Sequence, residues 1–180
     1  QIQTQLDAFL FYEVFIFDQA RVEELHQMRI NAKKLRYALE VFSELYNNET
    51  DFALEVARKA QEFLGKIHDN DIWIDFLPRF MEKERKRINN FYGYLRPYFR
   101  VRPGIEYLID NRKNERSRLY NAFLKNWKTW NLKETWLNLR KVVFLTSIEP
   151  HPSPPDESVP EKGNETPQEP ENKDQTNKDS

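Results

Sequence analysis

The 180-residue chain contains no cysteine, which excludes a disulfide framework, a cysteine-ligated zinc site and a thiol nucleophile. A cysteine-free chain suits a reducing compartment, so we expect a cytoplasmic location. Glycine is also scarce, at four residues, whereas aromatic residues make up 14% of the chain. Strands joined by tight turns are therefore not expected, while bulky side chains for helix packing are abundant.

The longest apolar run is too short for a membrane span or a signal sequence. It reads AFLFYEVFIF, occupies residues 8–17 and is interrupted by Glu13. A membrane span needs about 20 apolar residues, and a signal sequence begins with a basic leader. We interpret the run as part of a hydrophobic core and expect no membrane partner.

Charge divides the chain into a basic body and an acidic tail. Residues 149–180 contain nine Asp and Glu and three Lys, a net charge of −6, so the whole-chain charge of −1 leaves +5 for residues 1–148. The tail also holds seven of the ten prolines and almost no bulky apolar residue. Burial in such a segment cannot offset the entropy of ordering it, so we predict a disordered acidic tail over 148–180.

The body, residues 1–147, is predicted to form one all-α domain, an antiparallel bundle of long helices. Asp18 is placed to cap a helix that extends to about Tyr46. Asp51 is placed to cap a second helix, whose apolar residues recur at helical spacing. No convincing strand alternation occurs anywhere in the body.

Several local signals predict where the later helices end. The segment HDND at 68–71 is expected to break or recap the second helix, and Pro78 to kink or end the element that follows. RPYFRVRPG at 96–104 is predicted to be a loop because it holds two prolines and a glycine. Helices are then predicted over about 105–130 and 133–145.

A row of cations on the first long helix is the most unusual feature of the sequence. It lies in LHQMRINAKKLRYALEVF, residues 25–42, and consists of His26, Arg29, Lys33 and Arg36. At about 100° per residue these side chains fall within an arc of roughly 80° beside the apolar stripe and rise over about 15 Å. Like charges so placed repel one another, and Glu40 is the one acid on their face. An extended anion relieves this repulsion, because Arg presents a planar fork to phosphate oxygens and Lys a mobile charge.

Two further arginines interrupt an apolar face of the helix predicted over 105–130. Arg112 and Arg116 share this face with buried-type aromatic and aliphatic residues. A buried unpaired charge is costly, so each arginine needs a partner, such as Glu40, Asp69 or a bound polyanion. If the two helices face each other, the body contains a partly buried basic groove. Spacing alone leaves open the alternative of solvated flanks with salt bridges to other helices.

Two segments together, LHQMRINAKKLRYALEVF and QEFLGKIHDNDIW, resemble the CHAD family, the conserved histidine α-helical domain. The family pattern is roughly Leu-His-x-x-Arg-x-x-x-Lys-x-Leu-Arg-Tyr-x-x-Glu, followed later by Leu-Gly-x-x-x-Asp. The matching residues are His26, Arg29, Lys33, Leu35, Arg36, Tyr37, Glu40, Leu64, Gly65 and Asp69. The first motif is long and fairly specific, the second alone is weak, and together they cover about residues 20–80.

The resemblance implies a helical domain that has no catalytic activity and no cofactor and that binds inorganic polyphosphate through basic residues lining a central groove. It implies binding roles for His26, Arg29, Lys33 and Arg36, to which the apolar-face argument adds Arg112 and Arg116. Secondary candidates are Lys34, Tyr37, Lys66 and His68. The resemblance also implies that a triphosphate-cleaving CYTH-type domain can accompany such a segment.

The chain departs from the family pattern in carrying one histidine-containing basic helix where a full member has two, one in each pseudo-symmetric half. No second His-x-x-Arg-x-x-x-Lys pattern is present, since the other histidines are His68 and His151. The chain also begins with Gln1 rather than methionine. We therefore expect residues 1–147 to be the second half of a two-repeat domain, with the first half upstream.

Three other functions stay open on the sequence. The HD dipeptide suggests a metal-dependent phosphohydrolase, in which a divalent ion activates water. The neighbouring cations, however, disfavour a metal site. Its candidate ligands are His26, His68, Asp69 and Asp71 or Asp75. A basic groove also attracts RNA as a competing polyanion, but the body lacks the glycine-rich and RNP-like signatures of common RNA modules. The third alternative is a helical protein-interaction domain.

Overall fold

The structure is a computed structural model that describes residues 1–148, with side chains over 1–145. Its described part contains five α-helices and no strand, which confirms the predicted all-α fold class. The helices are α1 (Ile2–Leu10), α2 (Val22–Phe42), α3 (Asp51–Tyr92), α4 (Arg96–Leu132) and α5 (Thr135–Ile148). The predicted disordered tail lies, from residue 149 onward, outside the described residues.

Helix α2 begins at Val22, later than predicted, because Asp18 caps a turn and not the helix. Oδ1 of Asp18 accepts the backbone N–H of Ala20 at 2.9 Å, and the residue before α2, Arg21, provides no side-chain cap. At its other end α2 tightens into a 3-10 turn, Ser43–Tyr46. Helical structure therefore ends at Tyr46, as predicted, although its last turn is a 3-10 turn and not part of the α-helix.

Helix α3 runs unbroken through HDND, where the sequence predicted a break or a new cap, and through Pro78, where it predicted a kink or a helix end. It has 42 residues, about 63 Å at 1.5 Å per residue. Within the HDND segment Asn70 is buried, and its Nδ2 donates to the carbonyl of Lys66 at 2.8 Å, inside the helix. Pro78 is an interior helical residue. The predicted break at 68–71 is wrong because packing of α3 on its neighbours outweighs the local preference of Asp and Asn for caps.

The predicted loop at 96–104 is also wrong, since these residues form the first turns of α4. Proline near a helix start loses no hydrogen bond, and Pro97 occupies such a position, whereas Pro103 lies further inside the helix. The chain turns instead at Gly93, whose φ of 74° is the left-handed conformation that ends α3. Helices α3 and α4 thus form one long hairpin.

An aromatic core holds α1, α4 and α5 together at one end of this hairpin. The Phe9 ring packs edge-on against Trp127 and Trp136, with centroid distances of 5.5 Å and 5.3 Å. Glu13, which interrupts the apolar run at 8–17, accepts a hydrogen bond from Trp127 Nε1 at 3.0 Å. Within that run Phe9 and Ile16 are buried, as predicted, while Phe11, Val14 and Phe17 are exposed.

The rest of the core comes from α2 and from the adjoining ends of α3 and α4. Its last member on α3 is Ile67, and its first on α4 is Leu119. The 25 residues of α3 beyond Ile67, as far as Tyr92, contribute nothing to this cluster. No helix in the described part is long and apolar enough to cross a membrane.

Candidate functional site

The cationic row of α2 lies against α3, which runs antiparallel to it. His26 Nδ1 lies 3.1 Å from Nδ1 of His68, and the two ring centroids are 4.1 Å apart. Further along, Nε of Arg36 donates to Oε1 of Gln61 at 2.7 Å. We call this surface the α2–α3 seam; its members are His26, Arg29, Lys33 and Arg36 on α2 and Arg58, Gln61, Gly65 and His68 on α3.

The two sides of the seam have the same residue spacing. Positions 26, 29, 33 and 36 recur at intervals of three, four and three, and so do positions 58, 61, 65 and 68. Such intervals keep side chains on one face of a helix. In an antiparallel pair they set His26 across from His68 and Arg29 across from Gly65, as the structure shows. The seam is thus built from two matched faces.

Two arginines share one carboxylate at the end of the seam. Oε1 of Glu40 accepts from Nη1 of Arg36 at 2.8 Å and from Nη2 of Arg58 at 3.2 Å. The Arg36 guanidinium also stacks over the Tyr37 ring, 4.3 Å from its centroid, a cation–π contact that fixes its orientation. Arg58 also pairs with Glu55, which Lys59 shares, so three cations face two carboxylates and this end keeps a positive charge. Arg58 was absent from the sequence-based candidates.

The middle of the seam carries two cations without counter-charges. Neither Arg29 nor Lys33 forms an ion pair with any residue that the structure describes. Arg29 packs close to Gly65, since a Cβ added there would be in van der Waals contact with Nε of Arg29, at 3.7 Å. A glycine inside a helix costs about 1 kcal/mol relative to alanine, and at this position it leaves α3 without a side chain beside the Arg29 guanidinium.

The two histidines at the other end of the seam form a proton-sensitive pair. A hydrogen bond between two imidazole nitrogens needs one N–H and one bare nitrogen, so at least one ring is neutral. Burial lowers the pKa of His68, with smaller lowering from the charges of His26 and Arg29, against Asp69 and Asp71, which raise it. His68 therefore resists protonation while no anion is bound.

Arg116 forms an ion pair within the protein, but with a residue other than Glu40 or Asp69, the carboxylates suggested by the sequence. Its Nε donates to Oδ1 of Asp71 on α3, and its Nη2 donates to the carbonyl of Gln19 at 2.9 Å. The side chains of Arg116 and Asp71 are only 12% and 13% exposed. This ion pair ties α4 to α3 and to the segment before α2, which is a structural role.

Arg112 is half-buried one turn away from Arg116. Its Nη2 donates to Oδ1 of Asn111 at 2.9 Å, while its buried Nε has no hydrogen-bond partner. Across from the cationic row the structure places α3 rather than α4, because the row's contacts to other helices go to His68, Gly65 and Gln61. The binding roles of Arg112 and Arg116 stay predictions.

The secondary candidates fall on three different surfaces. His68 is a member of the seam, and Tyr37 lies beside it, under the Arg36 guanidinium. Lys34 lies on the opposite flank, where it lines a mostly apolar cavity of about 390 Å³ together with residues of α1.

Lys66 pairs with a residue of its own helix and, among the described residues, makes no hydrogen bond or ion pair with the cationic row. Its Nζ donates to Oε1 of Glu62 at 2.6 Å. On α4, the pKa of Glu115 is lowered mainly by the hydrogen bond from Arg118 and further by the charges of Arg112 and Lys66. Among the secondary candidates, His68 and Tyr37 therefore fit the seam and Lys66 does not.

The ligand set of the phosphohydrolase alternative does not come together. Over residues 1–145, no group of three or more His, Asp or Glu side chains lies close enough to hold a metal ion. Nδ1 of His26 and Nδ1 of His68 face each other, and Asp69 is exposed. This geometry gives the alternative no support.

Comparison with known families agrees with the motifs. The family model described as CHAD domain matches residues 6–78. The match contains α1 from Leu6 onward, α2 and α3 as far as Pro78, and hence both sides of the seam, while α4 and α5 lie beyond it. It confirms the resemblance drawn from the histidine-containing helix. No curated protein and no solved structure matches the chain.

Proposed function

We propose, from the premise that residues 6–78 match the family model of the CHAD domain, that the α2–α3 seam binds inorganic polyphosphate without cleaving it. Polyphosphate binding is a general property of the CHAD domain. The observation that carries the proposal here is the pair of uncompensated cations, Arg29 and Lys33, at the middle of the seam. No ion pair within the described residues neutralises their charge, so it is available to a ligand.

The shape of the seam suits a chain of phosphates better than a single ion. From His26 to Arg36 the row rises about 15 Å along α2. Guanidinium groups donate in pairs to phosphate oxygens, while the lysine follows the chain as a mobile point charge. Arg58 extends the row on the α3 side and can exchange Glu40 for phosphate. A track of this length needs no catalytic group to hold its ligand.

Gly65 offers a steric test in which the charge stays constant. Gly65→Leu should displace the Arg29 guanidinium and weaken polyphosphate binding about tenfold, whereas Gly65→Ala adds only a Cβ in ordinary contact with it and should leave affinity within twofold. The alanine variant should also gain about 0.5–1 kcal/mol of unfolding free energy from its better helix propensity. Titration with labelled polyphosphate measures the affinity, and urea denaturation measures the free energy of unfolding. Equal affinity of the leucine and alanine variants would place the ligand elsewhere.

The histidine pair predicts that polyphosphate binds more tightly at lower pH. An adjacent polyanion favours the charged imidazole, so binding takes up protons and affinity rises as pH falls through the usual histidine range near 6.5. We expect several-fold tighter binding at about pH 6 than at about pH 8. His26→Gln or His68→Gln should flatten this profile. Polyphosphate itself also titrates in this range, and comparing the parent chain with these variants removes that contribution. An unchanged slope in both variants would make the pair a packing contact.

RNA is the main alternative ligand, because any phosphate chain attracts a basic surface by counterion release. Competition between polyphosphate and RNA of equal charge, run at two salt concentrations, separates the two. A seam that recognises bare phosphates should prefer polyphosphate at both concentrations. Preference for RNA that persists at high salt would favour the nucleic-acid alternative, and binding of neither would favour a protein-interaction domain.

The wider setting of the domain follows from the same family premise and is likewise a proposal. An upstream half-domain would add a second basic helix, and a CYTH-type neighbour would place polyphosphate beside triphosphate chemistry. A cytoplasmic location stays a prediction.

A further inference from the structure

The net positive charge of the body is concentrated at the tip of the α3–α4 hairpin and not at the seam. Residues 79–104, which we call the hairpin tip, contain eight Lys and Arg and two Glu, a net charge of +6. Residues 1–148 together carry +5, so the rest of this part has a net charge of −1. The tip is therefore a separate cationic surface.

The apex of the tip is an exposed aromatic cluster without charge. No charged residue occurs from Ile88 to Leu95. Phe91, Tyr92 and Tyr94 are 77%, 50% and 56% exposed around the turn at Gly93. Their rings pack on one another, with centroid distances of 4.7 Å for Phe91–Tyr92 and 5.9 Å for Tyr92–Tyr94. The cluster thus forms a convex knob.

Cations surround this apex one to two turns behind it. Arg87 on α3 and Arg96 and Arg100 on α4 lie about 5–10 Å from the turn along the helix axes. In the described part of the chain, Arg96 and Arg100 have no ion pair, whereas Arg87 pairs with Glu84. At least two of these charges are available to an external anion.

We propose that the hairpin tip inserts its aromatic apex into the interface of an anionic lipid bilayer. Phe and Tyr rings at the apex would enter the headgroup–acyl boundary, whose depth for such segments is about 5–10 Å. Arg96 and Arg100 would then stand at the level of the lipid phosphates. The earlier expectation of no membrane partner rested on the absence of a spanning segment, which interfacial binding does not need.

Two features favour lipid over single-stranded nucleic acid. Stacking of successive bases uses ring faces spaced along a groove, whereas these rings contact one another, edge-on and tilted, at a single apex. The cations also flank the rings and do not alternate with them. The tip is distinct from the seam as well, since Arg87 lies 19 residues, about 28 Å, beyond His68 along α3.

The absence of cysteine makes the apex easy to label. Asn90→Cys in the full chain carries a polarity-sensitive fluorophore at the tip, and Asn121→Cys carries it on an exposed part of α4. With vesicles of phosphatidylcholine and phosphatidylserine, the first should shift to the blue and brighten, while the second should not change. Phosphatidylcholine alone should give little signal. Equal responses from both labels would overturn the proposal.

Vesicle sedimentation with charge variants tests the same site. Arg96→Gln/Arg100→Gln should weaken binding to anionic vesicles at least tenfold, since each basic residue near such a surface contributes about fivefold. Lys125→Gln/Lys128→Gln, which removes equal charge elsewhere on α4, should change it less than threefold. Phe91→Ser/Tyr94→Ser should abolish the fluorescence shift. Binding of single-stranded oligonucleotides at the tip without vesicle binding, or no binding of either, would overturn the proposal.

Discussion

Asp71→Ala is expected to lower the free energy of unfolding by about 3–5 kcal/mol, a large effect for a single polar residue. The change leaves Arg116 with 12% of its side chain exposed and without a counter-charge between α3, α4 and the segment before α2. Urea denaturation followed by far-UV circular dichroism measures it.

The matched control lies one turn further along the same helix. Asp75 pairs with Arg79 on the exposed surface of α3. Exposed pairs contribute about 0–1 kcal/mol, so Asp75→Ala should cost little. Replacing both members of the buried pair, as Asp71→Leu/Arg116→Leu, should recover most of the stability lost in Asp71→Ala. Equal costs for Asp71→Ala and Asp75→Ala would contradict the structural role of Arg116.

The same double variant decides whether Arg116 also binds polyphosphate. If the arginine serves only to join the helices, polyphosphate affinity should stay within twofold of the parent chain. A loss of tenfold or more in a folded double variant would show that Arg116 belongs to the binding site, as the sequence predicted.

Arg29→Gln/Lys33→Gln is expected to weaken polyphosphate binding about 100-fold. Each cation can make a charge-assisted hydrogen bond of about 1.5–3 kcal/mol to phosphate, and neither has a protein counter-charge to release. The dependence of affinity on salt should also become shallower, by about 1.4 in the logarithmic slope if each contact behaves as on a single strand. Titrations at about 50 and 200 mM salt measure both quantities.

Lys125→Gln/Lys128→Gln removes the same charge from exposed positions of α4 and is the control for this pair. Neither lysine forms an ion pair in the part of the chain that is described. The control should weaken binding less than threefold. Similar losses in the two double variants would mean that the overall charge of the surface attracts polyphosphate and that the seam is not a specific binding site.

The α2 side of the seam was predictable because helical periodicity alone fixes it. His26, Arg29, Lys33 and Arg36 share one arc of any helix that covers them, whatever the rest of the chain does. The α3 side has the same three, four, three spacing in Arg58, Gln61, Gly65 and His68, and this signal was present in the sequence. Pairing the two faces requires the antiparallel register of α2 and α3, which only packing determines.

The helix boundaries were predicted wrongly where local signals compete with packing. HDND and Pro78 favour interruption, yet α3 continues through both along the whole length of α4. Pro97 was interpreted as part of a loop, although proline also favours the first turn of a helix. Gly93, the actual turn, carries the clear positive-φ signal of a helix end.

Imidazole resonances measured during a polyphosphate titration test the central claim most directly. The chain has three histidines, and His26→Gln and His68→Gln assign two of their signals. If polyphosphate occupies the seam, the signals of His26 and His68 should shift together and saturate, and the pKa of His68 should rise when the ligand is bound. Binding that leaves both signals unmoved would contradict the account.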